Sequence, residues 1–513
     1  THCISSAASD VYKRQIQIPA ARGLIFSSAW AGARLSTMSN SAPTHELHFV
    51  IGGAGFLGSH ILEALVARGE TAVASFDIRE PTERVPNVHY YEGDLTQAES
   101  LTKAITDAQE DTRTAGIEGR SVAVYHTASP VAGLGPDVYE KVNVLGTEVV
   151  IEVCKEPKNG VAKLIFTSSA GVVFNGYDLK FIDERVGYPE TPLDAYNDTK
   201  ARAEKLVLEA NHHENGLKTV ALRPAGIFGP RDRQALPGFF KVLENKRTRW
   251  QIGKNLNLFD WTYVGNVAHA HLLASDCLGV KGPEPRPESK FLTSELSDEH
   301  LPLKMGASDL EDARDVPTSL QRQDVSKPAE DYCRNVKPLI DLSGVDAVNQ
   351  RPVFRNRFDQ FFHHAYPNVA CGGNPMPKLS SYAKSELYAD GEAFFITNGQ
   401  PIPFWDFPRA LWYHYNGHVD KPEHIIVLSL MFALFLAFLA EIFSKLTGRP
   451  VQFTRYRVTY TACDRYYNIE KARRILGYEP IYGLEDSIKR SVKWWKTLHP
   501  PTKSIPGETA KTK

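Results

Sequence analysis

Short apolar runs alternate with helix-like segments from Phe49 to about Leu273. Six of these runs have the length and residue content of strands: "FVIGG", "TAVASFD", "VHYYEGD", "SVAVYHTAS", "KLIFTSS" and "KTVALRPAGIFG". The runs are nearly continuous rather than alternating, which is typical of strands buried on both faces of a sheet. The segments between them, such as "NDTKARAEKLVLEAN", follow helical periodicity. The pattern predicts an α/β fold of the Rossmann type, with a doubly wound parallel sheet formed by residues 38–280.

The pattern changes beyond residue 280. Residues 281–390 are rich in proline, serine and charged residues and show little periodicity. We expect an insert there that is disordered or does not belong to the working protein. Regular patterning resumes at "GEAFFITNGQPIPFWDFPRALW", so we predict a smaller substrate-binding region over residues 391–500, with 501–513 as a tail.

The first 37 residues do not resemble the start of a folded domain. The sequence begins at Thr1, and its first methionine is Met38, about ten residues before the first apolar run. The stretch "SSAASDVYKRQ" resembles translated vector sequence. A targeting segment is the alternative, because serines accompany Arg14, Arg22 and Arg34. We favour an untranslated leader or a cloning artefact.

A second apolar pattern lies near the C-terminal end. The run "IIVLSLMFALFLAFLA", Ile425–Ala440, is 16 residues long and is broken only by Ser429. Crossing a bilayer takes about 20 apolar residues, and continuation to Phe443 brings the segment close to that length. A buried core helix is the alternative, but apolarity on all sides favours contact with lipid. We predict that residues 425–443 associate with a membrane, either across it or along its surface.

Composition limits the function classes further. The 513 residues suffice for two or more domains, and 42% hydrophobic with 23% charged residues is typical of a globular protein. A net charge of −1 argues against broad nucleic-acid binding. Six cysteines without paired spacing indicate a reducing compartment. The sequence contains no HExxH or CxxC motif, so we expect no metal site.

The loop "GGAGFLG" joins the first predicted strand to an amphipathic helix. Gly52, Gly55 and Gly58 have the spacing that lets a backbone turn tightly and approach a pyrophosphate. The N-terminus of the helix adds free N–H groups and a positive dipole end. Asp77 ends the second strand 19 residues after Gly58, where a carboxylate can bind the adenosine ribose and repel a 2′-phosphate. These features together predict an NAD site. Arg79 lies close enough in the sequence that NADP is an alternative cofactor, and Asp77 by itself could be an ordinary turn residue.

Tyr196 and Lys200 are four residues apart and therefore share one face of a predicted helix. A lysine ammonium beside a phenol should lower the tyrosine pKa from its usual value near 10 and provide a general base. Ser168 and Ser169 follow the preceding strand, at the carboxyl-terminal edge where ligands of open α/β sheets bind. Either serine could bond a reacting oxygen, and an ordinary strand-end cap is the alternative.

Taken in order, these motifs resemble the extended short-chain dehydrogenase/reductases. The resemblance rests on "GGAGFLG", Asp77, "GDLT", "HTAS", "NVLGT", "TSSAGVVF", Tyr196 with Lys200, and "RPAGIFGPRD", and it covers about residues 48–280. The stretch Arg465–Trp495 resembles the C-terminal end of that family. Within the family the sequence is most similar to the 3β-hydroxysteroid dehydrogenase branch, and to its decarboxylating, sterol-oxidising members, because of "GEAFFITNGQPIPFWDFPRALW" and the apolar segment after it.

The resemblance implies roles for individual residues. Tyr196 is the implied base, Lys200 its partner at the nicotinamide ribose, and Ser169 the catalytic serine, with Ser168 as its rival. The implied cofactor-binding residues are Gly52, Gly55, Phe56, Leu57, Gly58, Asp77, Asp94, Leu95, Thr127, Ala128, Ser129, Asn143, Tyr196, Lys200, Pro224, Ala225 and Ile227.

The resemblance also implies an activity: NAD-dependent oxidation of the 3β-hydroxyl of a 4α-carboxysterol, with loss of CO₂, in sterol biosynthesis. It places the chain at the endoplasmic reticulum membrane, with its catalytic domain facing the cytosol and the other enzymes of sterol C4 demethylation as partners. Whether the chain forms a homodimer is left undecided by the sequence. The alternatives are a related dehydrogenase or epimerase acting on a sugar nucleotide or a small ketone, and a non-catalytic NAD-binding scaffold.

Overall fold

The computed structural model describes residues 43–114, 121–131, 134–184, 186–212, 216–280, 388–418, 420, 422–448, 451 and 453–500. The predicted leader, the tail and nearly all of the predicted insert lie outside these residues. The strands are β1 (Leu47–Ile51), β2 (Val73–Asp77), β3 (His89–Glu92), β4 (Val122–His126), β5 (Val161–Thr167), β6 (Leu179–Ile182), β7 (Lys218–Pro224), β8 (Ile227–Phe228), β9 (Trp250–Ile252), β10 (Leu258–Phe259), β11 (Thr262–Tyr263), β12 (Glu392–Ile396), β13 (Ile402–Pro403), β14 (Ile426–Leu428) and β15 (Arg465–Tyr467).

The helices connect these strands and cover both faces of the main sheet. They are α1 (Phe56–Arg68), α2 (Ala98–Thr114), α3 (Pro136–Tyr139), α4 (Gly146–Lys155), α5 (Ala195–Glu209), α6 (Ala235–Glu244), α7 (Val264–Cys277), α8 (Asp406–Asn416), α9 (Leu430–Thr447), α10 (Arg455–Ala462), α11 (Glu470–Ile475) and α12 (Leu484–Leu498). A π-helical turn, Glu140–Leu145, separates α3 from α4.

Seven parallel strands form the main sheet of the described chain, in the order β12-β7-β5-β4-β1-β2-β3. Every residue of β1 and β4 is buried, as expected of strands covered on both faces. One core cluster includes Ile61 of α1 and Val267 of α7, and a second includes Leu101 of α2 and Val150 of α4. The predicted α/β fold with a parallel, doubly wound sheet is therefore confirmed.

The seventh strand comes from the region that we predicted for substrate binding. β12 pairs in parallel with β7, so residues on both sides of the predicted insert share one sheet. The rest of the C-terminal region forms smaller sheets with elements of the first half, in the order β13-β10-β15-β6 and as the pair β14-β9. The predicted domain boundaries stay predictions, but the strands are interleaved across them.

The apolar segment predicted over residues 425–443 has two parts. β14 pairs with β9, and Ser429 then caps α9, which ends before Gly448. α9 has 18 residues, a mean hydropathy of 1.8 and only 11% of its length buried, so it is long and apolar enough to cross a membrane. Its buried residues are Ala433 and Ala437. The alternative of a buried core helix does not describe this exposed element.

Candidate active site

The glycine loop between β1 and α1 is tightly packed. Gly52 has φ +86°, and a Cβ added to it would lie 2.7 Å from the backbone nitrogen of Ala128. A Cβ on Gly58 would lie 2.2 Å from the carbonyl oxygen of Gly52. Gly55 precedes α1 without a side-chain cap, which leaves the first N–H groups of the helix available to an anion. The loop and the first turn of α1, which begins with Phe56 and Leu57, therefore have the geometry of a phosphate cradle.

Asp77 closes β2 beside this loop. Its Oδ2 accepts a hydrogen bond from the backbone nitrogen of Ala54 at 3.1 Å, so the carboxylate is fixed next to the glycines. Partial burial raises the pKa of Asp77, while the nearby positive charge of Arg79 acts in the opposite direction. The structure thus brings the predicted ribose-binding acid to the predicted pyrophosphate loop.

The other residues predicted along the cofactor lie beside the ends of the neighbouring strands. Asp94 accepts hydrogen bonds from the backbone nitrogen and hydroxyl of Thr96, at 2.9 and 2.8 Å, and the backbone bond is the main cause of its lowered pKa. Leu95 packs toward Gly146 of α4. The Thr127 hydroxyl donates to the carbonyl oxygen of Ile51 at 2.9 Å, which ties the end of β4 to the end of β1.

Asn143 connects this strand edge to α5. It is buried in the π-helical turn, accepts a hydrogen bond from the Ser129 hydroxyl at 3.0 Å and donates one to the Thr199 hydroxyl at 3.1 Å. π-helical turns often occur at functional sites because they shift side chains out of regular register. Asn143 thereby fixes the position of the helix that contains Tyr196.

Tyr196 and Lys200 lie in the first turns of α5, which Asp194 caps by accepting a hydrogen bond from the backbone nitrogen of Asn197 at 2.7 Å. The Tyr196 ring meets Tyr139 edge to face, with a centroid distance of 5.7 Å. Lys200 is buried, and its Nζ donates to the carbonyl oxygen of Thr167 at 2.8 Å. Both side chains stand beside the carboxyl-terminal end of β5.

The pKa values of these two groups differ from the sequence expectation. Burial, reinforced by the negative charge of Asp194, raises the pKa of Tyr196 to about 12. Burial lowers the pKa of Lys200 to about 7. The predicted lowering of the tyrosine pKa by lysine is therefore wrong for this arrangement, because desolvation outweighs any attraction. The hydrogen bond that favours the phenolate comes from Ser169.

The structure separates the two candidate serines. The hydroxyl of Ser168 is buried and donates to Glu204 at 2.5 Å, and Glu204 also pairs with Arg223. The hydroxyl of Ser169 accepts the backbone N–H of Gly171 at 3.0 Å and bonds to Tyr196. Only Ser169 thus contacts the phenol, while Ser168 belongs to a buried ionic network.

Pro224, Ala225 and Ile227 lie at the end of β7 and the start of β8, on the same carboxyl-terminal edge of the sheet. The backbone nitrogen of Ala225 donates to the carbonyl oxygen of Ile396 at 3.2 Å. The end of β12 therefore supports this part of the site.

Sequence reasoning missed one wall of the site, formed by Tyr456 and Tyr460 of α10 and by Arg465 of β15. Tyr456 hydrogen-bonds to the carboxylate of Asp194, and Tyr460 acts on the pKa of Tyr196. The only signal in the sequence is the aromatic and basic run "RYRVTYTACDRYY". Its residues are more than 250 positions from Tyr196, so no local pattern places them there.

The arrangement combines a dinucleotide cradle with a phenol, a hydroxyl and an ammonium group at one edge of a sheet. An alcohol oxidoreductase requires a group, such as a phenol, that exchanges a proton with the substrate hydroxyl next to the nicotinamide site. The serine can fix the reacting oxygen and thereby the distance to the phenol.

Comparison with known proteins agrees with this chemistry. Sterol-4-alpha-carboxylate 3-dehydrogenase, decarboxylating, from Saccharomyces cerevisiae is 34% identical over 454 residues, which cover 87% of this chain and 96% of that protein. The Schizosaccharomyces pombe protein of that name is 36% identical, with the same two coverages, and the Mus musculus protein is 29% identical, covering 86% and 89%. The sequence profile of the 3-beta hydroxysteroid dehydrogenase/isomerase family matches residues 49–291. The chain belongs to this family.

Proposed function

We propose that the chain oxidises the 3β-hydroxyl of a 4α-carboxysterol to a ketone, with NAD as hydride acceptor and with loss of CO₂. The observation that supports this most is that Ser169 acts directly on the Tyr196 phenol, at the same carboxyl-terminal edge of the sheet as the glycine loop. The relatives that align over 96% of their own length bear this activity in their names.

The cofactor part of the proposal rests on the fit of the cradle. Gly52 and Gly58 leave no room for a side chain, and the uncapped start of α1 suits a pyrophosphate. Asp77 would hold the ribose hydroxyls and repel a 2′-phosphate, so we propose NAD rather than NADP. When bound, the nicotinamide supplies the acceptor for the hydride that leaves C3.

In the oxidation, the oxygen of Tyr196 takes the proton of the C3 hydroxyl. Ser169 donates to the Tyr196 oxygen and so favours the phenolate, which opposes the effect of burial on the tyrosine pKa. Once the phenol has taken the proton, the Ser169 hydroxyl can donate its hydrogen bond to the substrate oxygen instead, as this oxygen becomes a carbonyl. Lys200 would orient the ribose of the cofactor from its place beside Thr167.

Loss of CO₂ follows from the product of the oxidation. A carboxylate on the carbon next to a ketone is a β-keto acid. When the bond from C4 to the carboxyl carbon breaks, its electron pair enters the carbonyl group and forms an enolate. The protonated Tyr196 and Ser169 can hydrogen-bond this oxygen, and C4 then gains one proton, which equals the one that Tyr196 removed from the C3 hydroxyl.

The exposed helix α9 fits a substrate dissolved in lipid. We propose that the apolar side chains of this helix enter the membrane and bring the substrate entrance to the bilayer. The large residues exposed on α9 are Leu430, Met431, Phe432, Phe435, Phe438, Leu439, Ile442, Phe443 and Leu446. The endoplasmic reticulum, with the catalytic part on the cytosolic side and the other enzymes of sterol C4 demethylation nearby, is the location that this proposal favours.

The test compares the full chain with Tyr196→Phe on a 4α-carboxy-3β-hydroxysterol. We expect NADH and CO₂ from the unaltered protein, a much slower reaction with NADP, and a loss in kcat of roughly 10²–10⁴-fold in the variant, as for removal of a general base. Tyr413→Phe removes an exposed phenol from α8 and serves as the matched control. The proposal is wrong if the unaltered protein makes no ketone, or if Tyr196→Phe keeps full activity.

A further inference from the structure

Arg465, the first residue of β15, has a side chain that is buried among aromatic rings. Only 5% of the residue is exposed. The centre of its guanidinium lies 4.3 Å from the ring centroid of Phe174, 5.3 Å from that of Phe259 and 4.2 Å from that of Tyr460. Aromatic faces attract a cation, but they leave its N–H groups without acceptors.

The guanidinium has no carboxylate partner among the described residues. Its Nε and Nη1 are buried without a hydrogen bond of standard geometry in that part of the chain, and the Tyr467 phenol, which interacts with the guanidinium, carries no charge because burial raises its pKa. Two other buried arginines are paired differently: Arg223 with Glu204 at 2.5 Å, and Arg68 with Glu70 at 2.8 Å. A buried charge without a counter-ion is costly, so its retention indicates an anionic ligand.

Arg465 is linked to the reacting groups through the residues that surround it. The Tyr460 ring beneath its guanidinium also acts on the pKa of Tyr196, and Phe174 ends the turn that Ser169 begins. Asp194 feels the charge of Arg465 but lies beyond ion-pair distance and is already bonded to Asn197 and Tyr456. An anion that paired with Arg465 would therefore share an aromatic neighbour, Tyr460, with the catalytic phenol.

We propose that Arg465 binds the carboxylate of the substrate, an inference that rests on the proposed function. In a 4α-carboxysterol the carboxylate is on the carbon next to the one that carries the reacting hydroxyl. A receptor for it must therefore lie near Tyr196, and Arg465 shares the neighbours Asp194 and Tyr460 with that residue. Two N–H groups of a guanidinium match two carboxylate oxygens, and this geometry would orient the sterol as well as select it.

The ion pair also links specificity to product release. Before the reaction, the carboxylate of the substrate neutralises the buried guanidinium. The site therefore binds the acid more tightly than a neutral 3β-hydroxysterol. After the bond to CO₂ breaks, the ketone has no charge with which to keep that contact. The site should therefore favour the acid over the decarboxylated product.

The experiment measures a ratio of two substrates in the full chain. We compare kcat/KM for a 4α-carboxy-3β-hydroxysterol with kcat/KM for its neutral 4α-methyl analogue, both followed by NADH absorbance. For Arg465→Met we expect the ratio to fall roughly 10- to 100-fold, the range for a lost hydrogen bond to a charged group. In Arg465→Lys, which keeps the positive charge, the ratio should fall less. Arg457→Met, which removes an exposed arginine from α10, should leave the ratio unchanged.

The ratio is independent of the fraction of folded protein, so a destabilised variant still gives an answer. Equal losses on both substrates would mean a structural role for Arg465 and would overturn the inference. A fall of the ratio in Arg457→Met as large as in Arg465→Met would overturn it as well. If the unaltered protein oxidises the methyl analogue but not the acid, the proposed substrate fails together with the inference. If it prefers the acid and Arg465→Met keeps that preference, the inference alone fails.

Discussion

At the scale of single residues, the adjacent serines show where sequence reasoning stops. Both follow β5 at the edge of the sheet, so the motif alone supports either one as a partner of Tyr196. Their environments separate them: Ser168 donates to the buried Glu204, whereas Ser169 caps the turn Ala170–Val173 and bonds to Tyr196. Neighbouring residues of an extended strand point to opposite faces, and the three-dimensional neighbours alone decide which face holds the substrate.

We therefore expect Ser168→Ala and Ser169→Ala to have opposite effects. Ser169→Ala should lower kcat by roughly 10²–10³-fold, as for loss of a donor at a developing oxyanion, with little change in stability. Ser168→Ala should lower the free energy of unfolding by about 1–3 kcal/mol, because a buried carboxylate oxygen of Glu204 loses one of its two donors and keeps only Arg223, and should keep most of kcat.

NADH absorbance and urea unfolding of the two variants check this prediction. Each variant is the matched control for the other, since both remove one hydroxyl from adjacent positions. If Ser168→Ala lost activity at unchanged stability, the assignment of the catalytic serine would be reversed.

Sequence reasoning anticipated the positions of candidate site residues where a local motif marks them, and it failed where burial decides; the roles of these residues stay predictions. The spacing of Gly52, Gly55 and Gly58 and the pair Tyr196 and Lys200 placed the loop and the phenol on the correct edge. The direction of the tyrosine pKa was wrong, because a sequence does not show how much water surrounds a phenol. Arg465 was missed as a site residue for a related reason: its partners are aromatic rings from distant segments.

At the scale of elements, α9 shows how an apolar run becomes a surface. The sequence predicted its position, but not that Ser429 would divide the run into β14 and a helix. Ala433 and Ala437 are one turn apart, and their small side chains let Val458 of α10 pack against the helix. The large apolar side chains then have to point away from the protein, which leaves an exposed apolar surface.

This surface predicts membrane binding that charge should abolish. Phe435 and Leu446 are 56% and 81% exposed and lie three turns apart on one side of α9. For Phe435→Glu combined with Leu446→Glu, we expect vesicle binding to weaken at least roughly tenfold, because burying each side chain contributes about 1.5–3 kcal/mol. Co-flotation with phosphatidylcholine vesicles measures the bound fraction.

The control combines Tyr413→Glu with Leu498→Glu, which adds the same charge to exposed positions of α8 and α12. It should bind vesicles like the unaltered chain. Equal weakening in both pairs would attribute the effect to net charge, and the membrane role of α9 would be lost.

At the scale of the whole molecule, the sequence predicted a parallel sheet but not its full width. The run "EAFFI" of β12 is too short to identify its partner, and β7 lies about 170 residues earlier in the chain. Its place is fixed by non-local contacts: Glu392 pairs with the buried Lys471 at 2.6 Å, and Glu184 accepts the backbone N–H of Phe395 at 2.7 Å. Contacts of this kind leave no periodic trace in a sequence.

The two ends of the stretch between α7 and β12 meet in the fold. The backbone nitrogen of Gly279 donates to Asp390 at 2.8 Å, and that of Gly391 donates to the carbonyl oxygen of Thr219 at 2.7 Å. The chain therefore returns to the sheet at almost the place where it left. A short linker can bridge these ends, because closing a shorter loop costs less entropy, by about 0.6 kcal/mol for each halving of its length.

We predict that replacement of residues 281–387 by a flexible linker of about six Gly and Ser residues keeps the fold and the activity. The melting temperature should stay equal or rise, because the sheet is complete and the unfolded chain loses entropy. A longer deletion, of residues 281–396 with the same linker, is the matched control: it removes β12, exposes the edge of β7 and should prevent cooperative unfolding. Thermal melting and NADH formation from the sterol acid measure both variants. If the shorter deletion lost activity at an unchanged melting temperature, residues 281–387 would have to contribute to catalysis, and the predicted insert would be part of the working enzyme.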